Sequence, residues 1–247
     1  MKQTKIIMGM PITVEIIGEA FSGSIENLFK YFRSIDNRFS TYKNSSEISR
    51  VNAGLPRSYW SPEMKTVIEL CDQTKVLTKG YFDISRHGKL DPSGLVKGWA
   101  VNNAAQQLIN SGTTNFYIEA GGDIQVNGLN ADNQPWAIGI RNPFKTAEII
   151  KVVQLSDQGM ATSGTYIRGQ HIYNPYSRDH EITDINSLTV IGPNVYEADR
   201  YATAAFAMGK VGIGFIEESP GLEGYMIDSS KTATFTSGFE SYVVPNV

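Results

Sequence analysis

Beyond residue 114 the chain breaks into short apolar runs punctuated by Gly, Asn, Asp and Pro, and this segmentation limits the fold more than any other feature. Strand-like runs fall at 115–119, 123–127, 136–140, 149–155, 171–173, 187–191, 223–228 and 232–236. Residues 10–17 alternate in the same way. Helical spacing belongs mainly to the first half. Ile25, Leu28, Phe29, Phe32, Ile35 and Phe39 recur along 24–39, with Ser24 placed as a cap. Ser61-Pro62-Glu63 opens a second helix that ends at Lys79-Gly80, with Met64, Val67, Ile68, Cys71 and Leu77 on its buried side. A third helix runs from about Leu95 to Ile109, and a last one lies near 199–208. Helices early and strands late, without strand–helix–strand alternation, predict an α+β fold with a largely antiparallel sheet and flanking helices. No linker, repeat or low-complexity block interrupts the sequence, so 1–247 reads as a single domain.

Composition removes several classes of function. The net charge is −3 and no basic block or basic-aromatic run occurs, which argues against nucleic acid as a partner. The single cysteine, Cys71, excludes an intrachain disulfide framework and a cysteine-based zinc site. No apolar run approaches transmembrane length. The opening MKQTKIIMGMPITVEI has neither a continuous apolar core nor a small-residue cleavage site, so a cytoplasmic location is the expectation.

Four polar or glycine-rich clusters are candidates for chemistry. In Glu197-Ala198-Asp199-Arg200-Tyr201-Ala202-Thr203, Asp199 and Thr203 are four apart and share one helix face. Their oxygens suit a hard cation; equally, the acid suits a helix N-terminus and the hydroxyl a bond back to the helix. Asp91-Pro92-Ser93-Gly94-Leu95-Val96-Lys97-Gly98 opens a helix, whose first N–H groups suit phosphate, without the spacing of a P-loop. Glu119-Ala120-Gly121-Gly122-Asp123 is either a tight hairpin or a place where backbone approaches a ligand. Ala161-Thr162-Ser163-Gly164 precedes His171-Ile172-Tyr173-Asn174-Pro175, and His171 is either structural or a proton carrier near neutral pH. No nucleophile elbow, zinc spacing or dinucleotide fingerprint occurs.

Taken in order, these clusters resemble the ApbE-type FAD:protein FMN transferases along nearly the whole chain. The likeness begins at Met8-Gly9-Met10 and continues through Phe39-Ser40-Thr41-Tyr42, Ser46 to Asn52, and Gly80-Tyr81-Phe82-Asp83. It then takes in Asp91 to Lys97-Gly98 and the Ala-Gly-Gly-Asp, Ala-Thr-Ser-Gly, His-x-x-x-Pro and Ala-Asp-x-x-Ala-Thr motifs. The resemblance implies an ApbE-like, T-fold-like architecture. It implies magnesium (Mg2+) held by Asp199, Thr203 and the carbonyl of Gly94. It implies an FAD site lined by Met8, Tyr42, Tyr81, Phe82, Asp83, Asp91, Lys97 and Tyr173, with Glu119, Gly121 and Gly122 forming part of its wall. His171 would be the acid–base residue. The implied reaction moves FMN from FAD to a Ser or Thr hydroxyl in a short motif of an acceptor protein, releasing AMP. A magnesium-dependent FAD pyrophosphatase and a non-catalytic FAD-binding protein are the alternatives. Three departures from the family pattern stand out: the segment between Asp83 and Asp91 is short, Ala202 stands where some members carry a second acid, and Asn102 replaces an acid often seen after the Lys-Gly helix start.

Overall fold

The computed structural model describes residues 1–18, 23–164, 172–177 and 181–244. The chain starts with a hairpin of β1 (Lys2–Ile7) and β2 (Met10–Ile16), then three helices, α1 (Ser24–Phe39), α2 (Glu47–Asn52) and α3 (Pro62–Leu77). A small hairpin of β3 (Ser85–Arg86) and β4 (Lys89–Leu90) leads into α4 (Ser93–Asn110). Next come β5 (Phe116–Ala120), β6 (Asp123–Asn127), β7 (Trp136–Asn142), β8 (Lys145–Leu155), β9 (Gly159–Gly164) and β10 (Ile185–Gly192). The chain then forms α5 (Val195–Ala207), α6 (Gly212–Glu217), β11 (Glu223–Asp228) and β12 (Ala233–Phe235).

Eight strands form one sheet in the order β1-β2-β5-β6-β9-β10-β11-β12, and every neighbouring pair is antiparallel. This is the predicted α+β class, a single domain around one sheet. Strand alternation sorts the side chains between two layers. On one face, Ile12, Val14, Phe116 and Ile118 meet α1, α3 and α4 through Leu28, Phe32, Met64 and Val101, while Leu188, Val190 and Met226 meet α5 and α6. On the other face, Ile124, Val126, Tyr225 and Ile227 pack under the β7–β8 hairpin against Trp136, Ile138 and Val153. Among the described residues no helix is long and apolar enough to cross a membrane.

The helix ends show where local signals held. Ser61 caps α3 as predicted, its Oγ accepting from the Met64 N–H, with Pro62 in the first turn. Ser24 is not a cap; that position belongs to Gly23, at φ 83°, and Ser24 is the first residue of α1. The last long helix starts earlier than 199. Asn194 is its N-cap, with its side chain accepting from the Glu197 N–H. Asp199 therefore lies inside the helix and has no capping role. Gly209 takes the left-handed conformation expected past a helix end, φ 68°. The strand expected at 171–173 is not one in its described part, since Ile172 and Tyr173 are irregular. Strand β1 and helices α2 and α6, short or weakly patterned, carried no sequence signal that stood out.

Candidate active site

The site is built where α4 and α5 cross above β6. Two glycines one turn apart on α4 permit the close approach. A Cβ on Gly98 would stand 2.6 Å from the Asp199 Cβ and 2.8 Å from the Val195 carbonyl oxygen. One on Gly94 would stand 3.0 Å from the Thr203 Cγ2. Each glycine thus faces one of the two α5 residues, Asp199 and Thr203, singled out from the sequence. The result is three oxygen donors at one place. The Thr203 hydroxyl lies 3.2 Å from the Gly94 carbonyl and donates to it. One turn away, the Asp199 carboxylate accepts from the Gly98 N–H through Oδ2 at 2.8 Å.

Below them, alternation along β6 turns Asp123 and Gln125 toward the helices and Ile124 and Val126 toward the other layer. Gln125 fixes the start of α5, its Oε1 accepting from the Val195 N–H at 2.8 Å. Gly159 on β9 clears the same spot, because any Cβ there would lie 1.9 Å from the Val195 nitrogen. Asp123 is 1% exposed and its Oδ2 lies 2.7 Å from the Lys97 Nζ, a charge-to-charge contact outside hydrogen-bond geometry. Burial, followed by the neighbouring Asp123 carboxylate, holds the Asp199 carboxyl well above its ordinary range, opposed by Lys97 and the Gly98 N–H. Two buried acids and one lysine therefore lie together, and a cation beside them would offset the repulsion and burial that disfavour the Asp199 carboxylate.

These groups form the floor of a cleft of about 690 Å³. Its lining brings together Tyr81, Phe82, Asp83, Asp91, Gly94, Lys97, Gly121, Tyr173, Asp199 and Thr203, all singled out from the sequence. One wall is the β3–β4 hairpin, the short segment between Asp83 and Asp91. His87 and Gly88 turn it with φ of 50° and 73°, the positive pair that a two-residue hairpin requires. Three contacts hold it. The Asn52 amide bonds Leu90 in both directions, at 2.8 and 2.9 Å. The Tyr173 hydroxyl donates to the Asp83 carbonyl at 2.8 Å, and the Arg86 guanidinium lies 4.7 Å from the Tyr173 ring centroid. Asp83 itself is engaged, with Oδ2 on the Lys75 ammonium and Oδ1 on the Ser85 N–H. Asp91 accepts from the Ser93 N–H at the entry to α4.

Other expected residues sit elsewhere. Tyr42 is 96% exposed and outside the cleft lining. Met8 turns the first hairpin, with φ 57°, packs against the core and is outside the cleft lining. Glu119 and Gly122 line a neighbouring groove, and Gly121 lines both. The Gly121-Gly122 pair is a tight hairpin, φ 58° and 98°, and at the first glycine a Cβ would stand 2.8 Å from the Met10 sulfur. His171 lies outside the described residues; its neighbour Ile172 lines the cleft. Ala202 is fully buried among Ala161, Leu188 and Phe206, so its position faces core and not cleft. Asn52, Arg86 and Asp123 were not singled out as site residues. Asn52 and Asp123 lay within quoted motifs, whereas nothing in the sequence marks Arg86.

The donor set suits magnesium: one carboxylate, one hydroxyl and one carbonyl are hard oxygens, and magnesium retains waters and takes phosphate oxygens for its other positions. Among the described residues no three His, Cys, Asp or Glu cluster as metal ligands, so a thiolate or imidazole site for a softer metal is not present there.

Known proteins share this architecture. The family model described as the ApbE family matches residues 8–87 and 85–226. A FAD:protein FMN transferase of Vibrio cholerae is 32% identical over 130 residues, 49% of this chain and 39% of that protein. One of Haemophilus influenzae is 31% identical over 151 residues, 56% of this chain and 43% of that protein. The matches thus span about two fifths of those relatives' own length. Among solved structures, the flavin transferase ApbE from Vibrio cholerae superposes with a TM-score of 0.86 at 22% identity over 98% of both chains. The ApbE protein of Thermotoga maritima gives 0.85 at 21% identity, again over 98% of both. At such identity the likeness is one of fold.

Proposed function

The chain belongs to the ApbE family, and from that premise we propose that it transfers FMN from FAD to a Ser or Thr hydroxyl of an acceptor protein, releasing AMP. The observation that carries the reading is the convergence of Asp199, Thr203, the Gly94 carbonyl and Lys97 on the floor of one cleft. Relatives named FAD:protein FMN transferase support the same chemistry.

In this reading the pyrophosphate of FAD lies over the first turn of α4. Lys97 and the Gly94 N–H at the start of that helix bind its oxygens, the Ser93 N–H being held by Asp91. Asp199, Thr203 and the Gly94 carbonyl would hold magnesium, which when bound would neutralise phosphate charge and stabilise the leaving phosphate. The Asp123 carboxylate holds the Lys97 ammonium from beneath. Tyr81 and Tyr173 offer aromatic surface to the flavin or adenine rings, with the buried Phe82 ring behind them in the core. The acceptor hydroxyl oxygen bonds to the FMN phosphorus, and the phosphorus–oxygen bond to AMP breaks. The hydroxyl proton goes to a base, the role proposed for His171, where general-base catalysis is worth about 100- to 10,000-fold.

Co-expression with a candidate acceptor, followed by its intact mass, tests the reading. An added FMN mass with release of AMP is expected, and its loss in Asp199→Ala and His171→Ala variants that keep wild-type circular dichroism. Free FMN and AMP beside an unmodified acceptor would make the protein a hydrolase. Intact bound FAD would make it a flavin carrier.

A further inference from the structure

Residues 172–177, which follow His171 in the chain, belong to no helix or strand, yet they are tied down along their length. The second half is a turn. The Ser177 N–H donates to the Asn174 carbonyl at 3.1 Å, and the Tyr176 N–H donates to the Asn174 Oδ1 at 2.9 Å. Asn to open such a turn and Pro in second place are the residues it favours, because the ring presets φ and the amide oxygen closes a side-chain turn. Pro175 of the His-x-x-x-Pro motif thus shapes the turn that ends this segment.

Two tyrosines three residues apart staple this segment to the chain between the end of α3 and the β3–β4 hairpin. The Tyr173 hydroxyl reaches the Asp83 and Ser85 carbonyls at 2.8 and 3.1 Å. The Tyr176 hydroxyl donates to the Lys79 carbonyl at 2.5 Å, and its ring lies edge-on to Tyr81 with centroids 5.0 Å apart. Gly80 makes the second contact possible. Its φ is 83°, and a Cβ there would stand 2.6 Å from the Tyr176 hydroxyl oxygen and 3.4 Å from the ring carbon that carries it.

The two tyrosines differ in what they meet. Ile172 and Tyr173 line the cleft, whereas Tyr176 is outside its lining and 68% exposed. Tyr176 buries too little to serve as core, so its hydroxyl bond and its edge on Tyr81 are what it contributes.

We propose that Tyr176, seated on Gly80, is a positioning residue for FMN transfer: it docks the 172–177 segment on residues 79–86 and so anchors the chain that carries His171 beside the cleft. This rests on the FMN-transfer reading and on the role given there to His171, and adds a residue outside the cleft on which that role depends. The leverage is geometric, since a reacting group displaced by about 1 Å can lose about 100-fold in rate.

The test is Tyr176→Phe in the full chain, which deletes the hydroxyl and keeps the ring against Tyr81. Hydrogen exchange over 172–177 should quicken about two- to tenfold, the worth of one hydrogen bond. In the flavinylation assay kcat should fall by a like factor, with the KM for FAD changed by less than about twofold. In a His171→Ala background Tyr176→Phe should lower the residual rate by less than about twofold, because a residue acting through His171 then has nothing to position. Tyr176→Ala, which also takes the ring from Tyr81, should lower kcat further and weaken FAD binding. Thermal melts check that both variants stay folded. Unchanged exchange in Tyr176→Phe, faster exchange with unchanged kcat, or an equal fall in rate with and without His171 overturns the proposal. Flavin fluorescence reports on the FMN-transfer reading separately: wild-type protein that ignores FAD sinks that reading, and the positioning role with it, whatever the exchange shows.

Discussion

Lys97 and Asp123 form a buried ion pair, Nζ to Oδ2 at 2.7 Å, that ties the second turn of α4 to the first residue of β6. It joins the helical layer to the sheet beneath the cleft floor, and Asp199 leans on the same carboxylate.

Removing Asp123 leaves the Lys97 ammonium, 14% exposed at the cleft floor, without its buried counterpart. Asp123→Ala should cost about 1–3 kcal/mol of stability, below the penalty for a fully buried pair because the cleft lets solvent reach Lys97. Urea unfolding measures it. A loss below about 1 kcal/mol would mean that the pair is not holding the layers together.

The α4–α5 crossing gives a graded prediction. In Gly98→Ala the new methyl meets a backbone carbonyl and the Asp199 Cβ, neither of which swings aside. Overpacking of that kind costs about 1–3 kcal/mol. It would also push Asp199 from Thr203, so magnesium affinity, read by calorimetry, should fall with stability. Gly94→Ala meets side chains alone, the Thr203 methyl at 3.0 Å and the Phe82 ring at 3.4 Å, and should be milder on both counts. Equal effects at the two positions would contradict the crossing geometry.

The raised Asp199 carboxyl sets a pH dependence. Its ordinary value is 3.8 and the folded protein raises it by burial and by Asp123. Between these two values the folded state holds a proton that the unfolded chain has released. Metal-free protein should therefore lose stability as pH rises through that window. Asp199→Asn should flatten the slope in thermal melts. Under the proposed function magnesium would bind the carboxylate, and its stabilising effect should then grow over the same window. A metal-free melting temperature that rises there would remove the assignment.

The Asn52 amide clamps the β3–β4 hairpin through two bonds to Leu90. Asn52→Ala leaves both backbone groups without that partner, at about 1–3 kcal/mol for each one that water does not reach. The hairpin forms a wall of the cleft, so FAD affinity should drop while the rest of the fold persists. Hydrogen exchange at Lys89 and Leu90 separates a loosened hairpin from global destabilisation.

The sequence by itself determined the layers and the parts list. Periodicity in 24–39, the Ser61-Pro62 cap and the turn residues between the later runs are local signals, and the structure keeps them. The spacing of Asp199 and Thr203 put both on one face of a helix, and the ordered motifs pointed to a flavin-handling family. Local signals also misled where two residues competed for one role. Ser24 looked like a cap beside Gly23, and Asp199 looked like the start of a helix that Asn194 begins. Tertiary structure alone decided the rest, because its partners are far apart in sequence. Gly98 meets Asp199 across 101 residues, Gly94 meets Thr203 across 109, and Asn52 meets Leu90 across 38. Whether Asp199 and Thr203 are bland helix residues or cation ligands depends on what faces them. Packing two glycines of α4 against α5, over a buried acid of β6, excludes water and gathers the charge, and no spacing within α5 encodes that.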